Sequence, residues 1–252
     1  MSRLLFLHDV DVLPGPVGAL RLLAEDTDVV VPRHPGFGTP VDDVAGQWDS
    51  VADLAQHYLS DAVPGLVSDP TAGPLHLAGA GFGGWIALEM AVRAPHLFAS
   101  LILTSPYGVK LSGPRERDFA DIMLLDPDEV VELGWADPAA CQDLRMPGFP
   151  TGLADSEYAR AFADRAALAR YAWKPFLHDP RLRRWLHVVT VPTLVLAGAR
   201  DRLVPPTHSA ELAGLLPVAR FVEVPDAGHY PYLERPDEFH RLVRSFLRGV
   251  RP

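Results

Sequence analysis

Short apolar runs recur along the chain at Leu4 to Leu7, Val29 to Val31, Leu75 to Ala78, Leu101 to Leu103, Leu194 to Ala197 and Phe221 to Val224. Most are rich in Val, Leu and Ile with little polar alternation, the pattern of strands covered on both faces. Helix-like stretches fall between them. One opens at Asp49-Ser50-Val51-Ala52-Asp53-Leu54, where Asp49 or Ser50 is the expected N-cap. A second spans Gly83 to Val92, and a third, Pro236 to Leu247, closes the chain. This alternation predicts an α/β fold: a mostly parallel central sheet of about six strands with flanking helices.

The alternation stops between about Pro106 and Val189. Helix-like segments follow one another there without a strand: Arg115 to Leu125, Asp128 to Leu133, Ser156 to Tyr171 and Arg181 to Leu186. Met123, Trp135, Tyr171, Trp173 and Phe176 lie in this block. The pattern predicts a core domain of residues 1–105 and 190–252, with a helical cap insertion of residues 106–189 over one end of the sheet. Val29 to Val31 is expected on a sheet edge, and an apolar edge invites pairing, so a homodimer through it is an expectation.

Composition narrows the function classes. The chain has 252 residues, 48% hydrophobic and 22% charged, as in ordinary globular proteins. A net charge of −9 repels a phosphate backbone, and the densest cationic cluster, Arg181, Arg183 and Arg184, reads as a solvated helix face. No nucleic-acid partner is expected. No run approaches the ~20 apolar residues of a membrane span, and the first eight residues do not read as a signal peptide. A single cysteine, Cys141, excludes an internal disulfide and suits a cytoplasmic location. The ten histidines show no metal-ligand spacing, so no metal and no cofactor is expected.

Three segments carry chemistry together. In Leu77-Ala78-Gly79-Ala80-Gly81-Phe82-Gly83-Gly84 a strand runs into a tight small-residue turn and then a helix. Gly79, Gly81 and Gly83 occupy the places of a nucleophile elbow Gly-x-Ser-x-Gly, with Gly81 at its centre. In Leu196-Ala197-Gly198-Ala199-Arg200-Asp201 an aspartate follows a strand, and in Asp226-Ala227-Gly228-His229-Tyr230 a histidine follows the last strand. The stretch from Gly79 to Gly84 also matches a dinucleotide fingerprint, but Leu101-Ile102-Leu103-Thr104-Ser105 ends without the acidic residue a ribose requires.

The order elbow, acid, histidine resembles the α/β-hydrolase superfamily, in its cap-bearing group of small bacterial esterases and C–C hydrolases. Pro35-Gly36-Phe37-Gly38 is similar to that group's Pro-Gly-Phe-Gly loop, and Leu7-His8-Asp9 to its oxyanion loop. The resemblance covers nearly the whole chain. It implies a catalytic His229 oriented by Asp201, with oxyanion-type backbone groups at Phe82 and Asp9. His8, Phe82, Trp85, Tyr107, Met123, Trp173 and Tyr230 are the expected pocket lining, although Trp85 also suits the core of the elbow helix.

The chain departs from the family pattern at the centre. Gly81 stands where the serine nucleophile belongs, and Asp9 where the oxyanion loop usually has glycine. Glycine cannot form an acyl-enzyme, so His229 would act on water or on a substrate proton. A carboxylate ~4 Å from a developing oxyanion would cost about 4 kcal/mol at an effective dielectric of ~20. Asp9 is therefore turned away, protonated, or a further acid/base paired against His229. The first reading is an enzyme using general acid-base chemistry on a small, apolar carbonyl compound, as a lyase, cyclase, isomerase or water-mediated hydrolase, in a natural-product pathway. A non-catalytic ligand-binding pseudo-hydrolase is the second. A serine hydrolase with an engineered glycine at position 81 is the third.

Overall fold

A computed structural model describes residues 1–10, 16–38, 48–68, 73–139 and 155–250. Cys141 lies outside these residues. Six parallel strands form one sheet: β1 (Arg3–Leu7), β2 (Asp28–Val30), β3 (Leu75–Ala80), β4 (Ser100–Thr104), β5 (Thr193–Gly198) and β6 (Ala219–Val224). Their order is β2-β1-β3-β4-β5-β6. Each apolar run of the sequence is thus a strand, and the Val29 to Val31 run lies on an edge.

The lack of alternation follows from two separate cores. Leu5, Leu7, Leu77, Leu101, Leu103 and Val195 pack on one face with Leu54, Ile86 and Met90. Leu4, Phe6, Ala78, Ile102, Leu194 and Leu196 pack on the other with Leu20, Leu23, Phe239 and Val243. Successive side chains of a strand point to opposite faces, so both sets must be apolar. The closing helix, Pro236–Gly249, buries Phe239, Leu242 and Val243 at helical spacing. The helix Val51–His57 is capped by Ser50, whose hydroxyl accepts from the Asp53 amide at 3.2 Å.

Between β4 and β5 the described residues add helices Pro127–Gly134 and Asp155–Ala172 and a tighter 3₁₀ stretch, Leu182–Val188, but no strand of the sheet. The expected helix from Arg115 to Leu125 does not form; that segment is turns and irregular chain. Its polar groups bond locally instead. The Asp118 carboxylate accepts the amides of Leu111 and Ser112, and Ala120 donates its amide to the Leu203 carbonyl. Such side-chain bonds compete with a helical ladder.

Candidate active site

Strand order reverses between β1 and β3, since β2 follows β1 on one side and β3 pairs with β1 on the other. In open α/β sheets, ligands bind beyond the carboxyl ends of the strands at such a reversal. Chain leaving β1 there presents His8 and Asp9, and chain leaving β3 presents Gly81 and Phe82. Asp201 follows β5 and His229 follows β6.

The elbow requires its glycines for distinct reasons. Gly81 has φ +48°, in the left-handed region, and starts the helix Gly81–Arg93. A Cβ on Gly83 would lie 2.1 Å from the Leu7 carbonyl oxygen, and one on Gly79 2.3 Å from that of Gly83. Without these side chains the elbow helix can lie against the end of β1 and close on its own strand.

The position of Asp9 defines the site. A Cβ built on Gly81 would fall 2.1 Å from Asp9 Oδ1, 2.2 Å from its Cγ and 2.5 Å from its Oδ2. The carboxylate therefore fills the space a side chain at position 81 would take. Oδ1 accepts the Phe82 amide at 2.7 Å, a free N–H of the elbow helix, and Oδ2 lies 3.2 Å from His229 Nε2. Both the amide and the dipole at this helix end favour a negative charge. Asp9 is not turned away. The oxyanion-type donor at Phe82 is occupied by the protein's own carboxylate, which is also where a dinucleotide's pyrophosphate would have to sit.

On its other side His229 Nδ1 is 2.8 Å from Asp201 Oδ2. Asp201 Oδ1 accepts the amides of Leu203 and Val204, each at 2.9 Å. Asp9, Asp201 and His229 are all buried. Burial alone would lower the proton affinity of the imidazole, but Asp201 and Asp9 outweigh it and raise the His229 pKa to about 10. At neutral pH His229 is an imidazolium donating to two carboxylates.

A second buried network holds the Asp9 loop. His34 donates its amide to His8 Nε2 at 3.2 Å, so His8 Nδ1 carries the proton and donates to the Asp9 carbonyl at 2.5 Å. His34 Nε2 donates to the His8 carbonyl at 2.8 Å, which leaves Nδ1 to accept the Tyr58 hydroxyl at 2.7 Å. Burial lowers the His8 pKa to about 4 and pushes His34 well below its usual value. Both rings of this pair are neutral. His8 thus spends its ring nitrogens on the loop itself.

These opposite shifts set a pH optimum of stability. His229 binds its proton more tightly folded than unfolded, so its contribution is full below about pH 6.5 and lost as pH rises through about 10. His8 and His34 are the reverse: their contribution is full above about pH 6.5 and lost as pH falls, for His8 through about 4. The urea midpoint should peak near pH 6.5 and fall on both sides. A midpoint flat from pH 6.5 to 10 would contradict the bridged imidazolium.

The other expected lining residues divide. Phe82 stacks on Phe37 with centroids 5.7 Å apart. The Tyr107 ring lies 5.6 Å from His229, and the edge-on Tyr230 ring 5.0 Å. Met123 is half-buried against the first core. Trp85 belongs to the core under the elbow, its indole N–H donating to Glu89 at 3.3 Å. Trp173 is 54% exposed, so it is no part of a buried lining. Among the described residues no group of three or more His, Cys, Asp or Glu could hold a metal ion, and no helix is long and apolar enough to cross a membrane.

Comparison with known proteins fixes the lineage. The model of the alpha/beta hydrolase family matches residues 4–242. The chain belongs to the alpha/beta hydrolase family. Among relatives of this family, it is 27% identical over 261 residues to a pimeloyl-(acyl-carrier protein) methyl ester esterase of Neisseria meningitidis serogroup C, covering 92% of this chain and 91% of that one. It is 30% identical over 247 residues to the polyketide synthase ThaQ of Burkholderia thailandensis, covering 90% of this chain but 11% of that much longer one. Its fold matches the crystal structure of a membrane phospholipase A, a bacterial virulence factor, with a TM-score of 0.73 at 23% identity, covering 99% of this chain and 79% of that chain. Relatives of this chain include esterases, a putative carbamate hydrolase and a polyketide synthase.

Sequence reasoning missed two parts of the site. His34 reads as a loop histidine in the sequence, and its distance from position 8 hid the pairing. Glu234 stands in the histidine segment but receives no role from spacing alone; its carboxylate binds the loop that carries His229.

Proposed function

We propose that this alpha/beta hydrolase family member is a proton-transfer enzyme that works without a serine nucleophile. The observation that carries the reading is the Asp9 carboxylate in the space beside Gly81, 3.2 Å from the Nε2 of a buried imidazolium. A carboxylate and an imidazolium side by side are a matched base and acid. A small, largely apolar carbonyl compound entering between them would lose its α-proton to Asp9. Its carbonyl oxygen, gaining charge, would take the proton of His229 Nε2, and Asp201 would hold the ring. Return of the two protons completes an isomerisation, or sets up a lyase or cyclase step. The polyketide synthase relative supports a substrate of natural-product character.

The alternative of a non-catalytic binder shares every contact but predicts no exchange. A serine hydrolase with an engineered glycine finds less support, because loss of a serine side chain alone does not put a carboxylate in its place. The deciding measurement is deuterium uptake at the α-carbon of a panel of small ketones and β-keto thioesters in D₂O, followed by NMR. Catalysed uptake that falls about 10²–10⁴-fold in His229→Ala is expected. Uptake unchanged in His229→Ala, or a covalent acyl adduct on the protein, would rule the mechanism out.

A further inference from the structure

Glu234 makes three backbone contacts around the loop that carries His229. It ends the short helix Pro231–Glu234, five residues after His229, and is only partly exposed. Its Oε1 accepts the Gly228 amide at 2.9 Å and the Tyr230 amide at 3.3 Å, and its Oε2 accepts the Ala136 amide at 2.8 Å. The amide between the first two, that of His229 itself, donates to the Gly134 carbonyl at 2.6 Å. Three successive backbone N–H groups around the imidazole are therefore held, two of them by one carboxylate.

The same carboxylate ties this loop to the segment after the helix Pro127–Gly134. The two backbones touch: a Cβ on Gly228 would lie 2.2 Å from the Gly134 oxygen. Among the described residues the His229 ring nitrogens bond to Asp201 and Asp9, with the Tyr107 and Tyr230 rings beside it. Its place thus depends on where the loop backbone is pinned.

We infer that Glu234 is a positioning residue for His229, fixing its loop through three backbone amides. This rests on His229 being the proton-transfer group proposed above. Both Glu234 oxygens meet N–H donors, so the position demands an acceptor at each end. Burial, the largest influence, leaves the Glu234 pKa raised despite the three amides and the more distant charge of His229. A glutamine of the same shape must turn its NH₂ against one of the donors, and it removes the charge.

The test uses Glu234→Gln in the full chain with two kinds of readout. In the exchange assay, kcat should fall about 10–100-fold with KM within about twofold, because a small misplacement of a reacting group costs rate rather than binding. Independently of any substrate, the ¹⁵N resonances of the His229 ring should titrate at a lower pH than in the parent. An unchanged ring titration and unchanged kcat would overturn the inference. If the variant does not fold, amide hydrogen exchange of the parent decides: the Gly228, Tyr230 and Ala136 amides should be protected although they lie outside the sheet, and free exchange at all three would overturn it. Because the ring titration needs no substrate, a failed mechanism with an intact titration shift is told apart from a failed positioning role.

Discussion

Replacing Gly81 with serine alone should give no appreciable esterase, whereas Gly81→Ser combined with Asp9→Gly should hydrolyse activated short-chain acyl esters at least about 10²-fold faster than the single variant. The reason is steric and electrostatic at once. A Cβ at position 81 would stand 2.1–2.5 Å from three atoms of the Asp9 carboxylate, so the single variant must expel a buried charge from its only described amide donor. A non-glycine residue at φ +48° adds about 1–2 kcal/mol. Even if the serine fits, the Phe82 amide remains bound to Asp9, and the carboxylate would oppose an oxyanion by about 4 kcal/mol at ~4 Å and an effective dielectric of ~20. Removing Asp9 frees both the space and the donor. Hydrolysis of p-nitrophenyl acetate and butyrate measures it. Equal activity in the single and double variants would show that Asp9 does not obstruct the elbow, and would favour an ordinary hydrolase that has merely lost its serine.

The second large effect is expected at Asp9. Asp9→Asn should leave the fold intact at neutral pH, since the amide oxygen still accepts the Phe82 N–H and the amide nitrogen can donate to His229 Nε2. The ring then becomes an acceptor on that side and loses one of the two carboxylates that raise its pKa to about 10. α-Proton exchange should fall about 10²–10⁴-fold, the usual worth of a general base. The alkaline decline of stability should shrink at the same time. With the folded pKa nearer 6.5, less protonation energy is lost between pH 6.5 and 10. Exchange kinetics and urea midpoints at pH 7 and 9.5 check both parts. Asp9→Asn with full activity would assign the base role elsewhere. Asp9→Leu should behave differently, leaving the Phe82 amide without its acceptor and destabilising the fold by about 1–3 kcal/mol.

The two pairings of Asp9 also explain why its neighbours are buried polar groups. A carboxylate at this depth is tolerated only with hydrogen bonds and an opposite charge. The elbow amide and the imidazolium supply them, and the His8–His34–Tyr58 network holds the loop that presents it. Taking away His229 would leave two buried carboxylates without their shared cation, so His229→Ala should also lower stability by about 3–5 kcal/mol.

The chain's own pattern determined the architecture. Six apolar runs became six parallel strands, the four central ones unalternating because both their faces are covered, and three weak motifs in fixed order placed the elbow, Asp201 and His229 at strand ends. It also exposed the absence of a hydroxyl at position 81, which needs no coordinates. Local pattern failed where local bonding was decisive, as at Arg115 to Leu125, where Asp118 draws amides out of a helix. What only the tertiary structure decided was the destination of Asp9. Seventy-two positions separate it from Gly81 and 220 from His229. Nothing in spacing tells whether a carboxylate beside an empty elbow turns out to solvent or in. The close packing of Gly83 on β1 brings the Asp9 loop under the first turn of the helix, where a free amide and a buried imidazole compensate its charge, and that compensation exists only once the strand ends have been brought together.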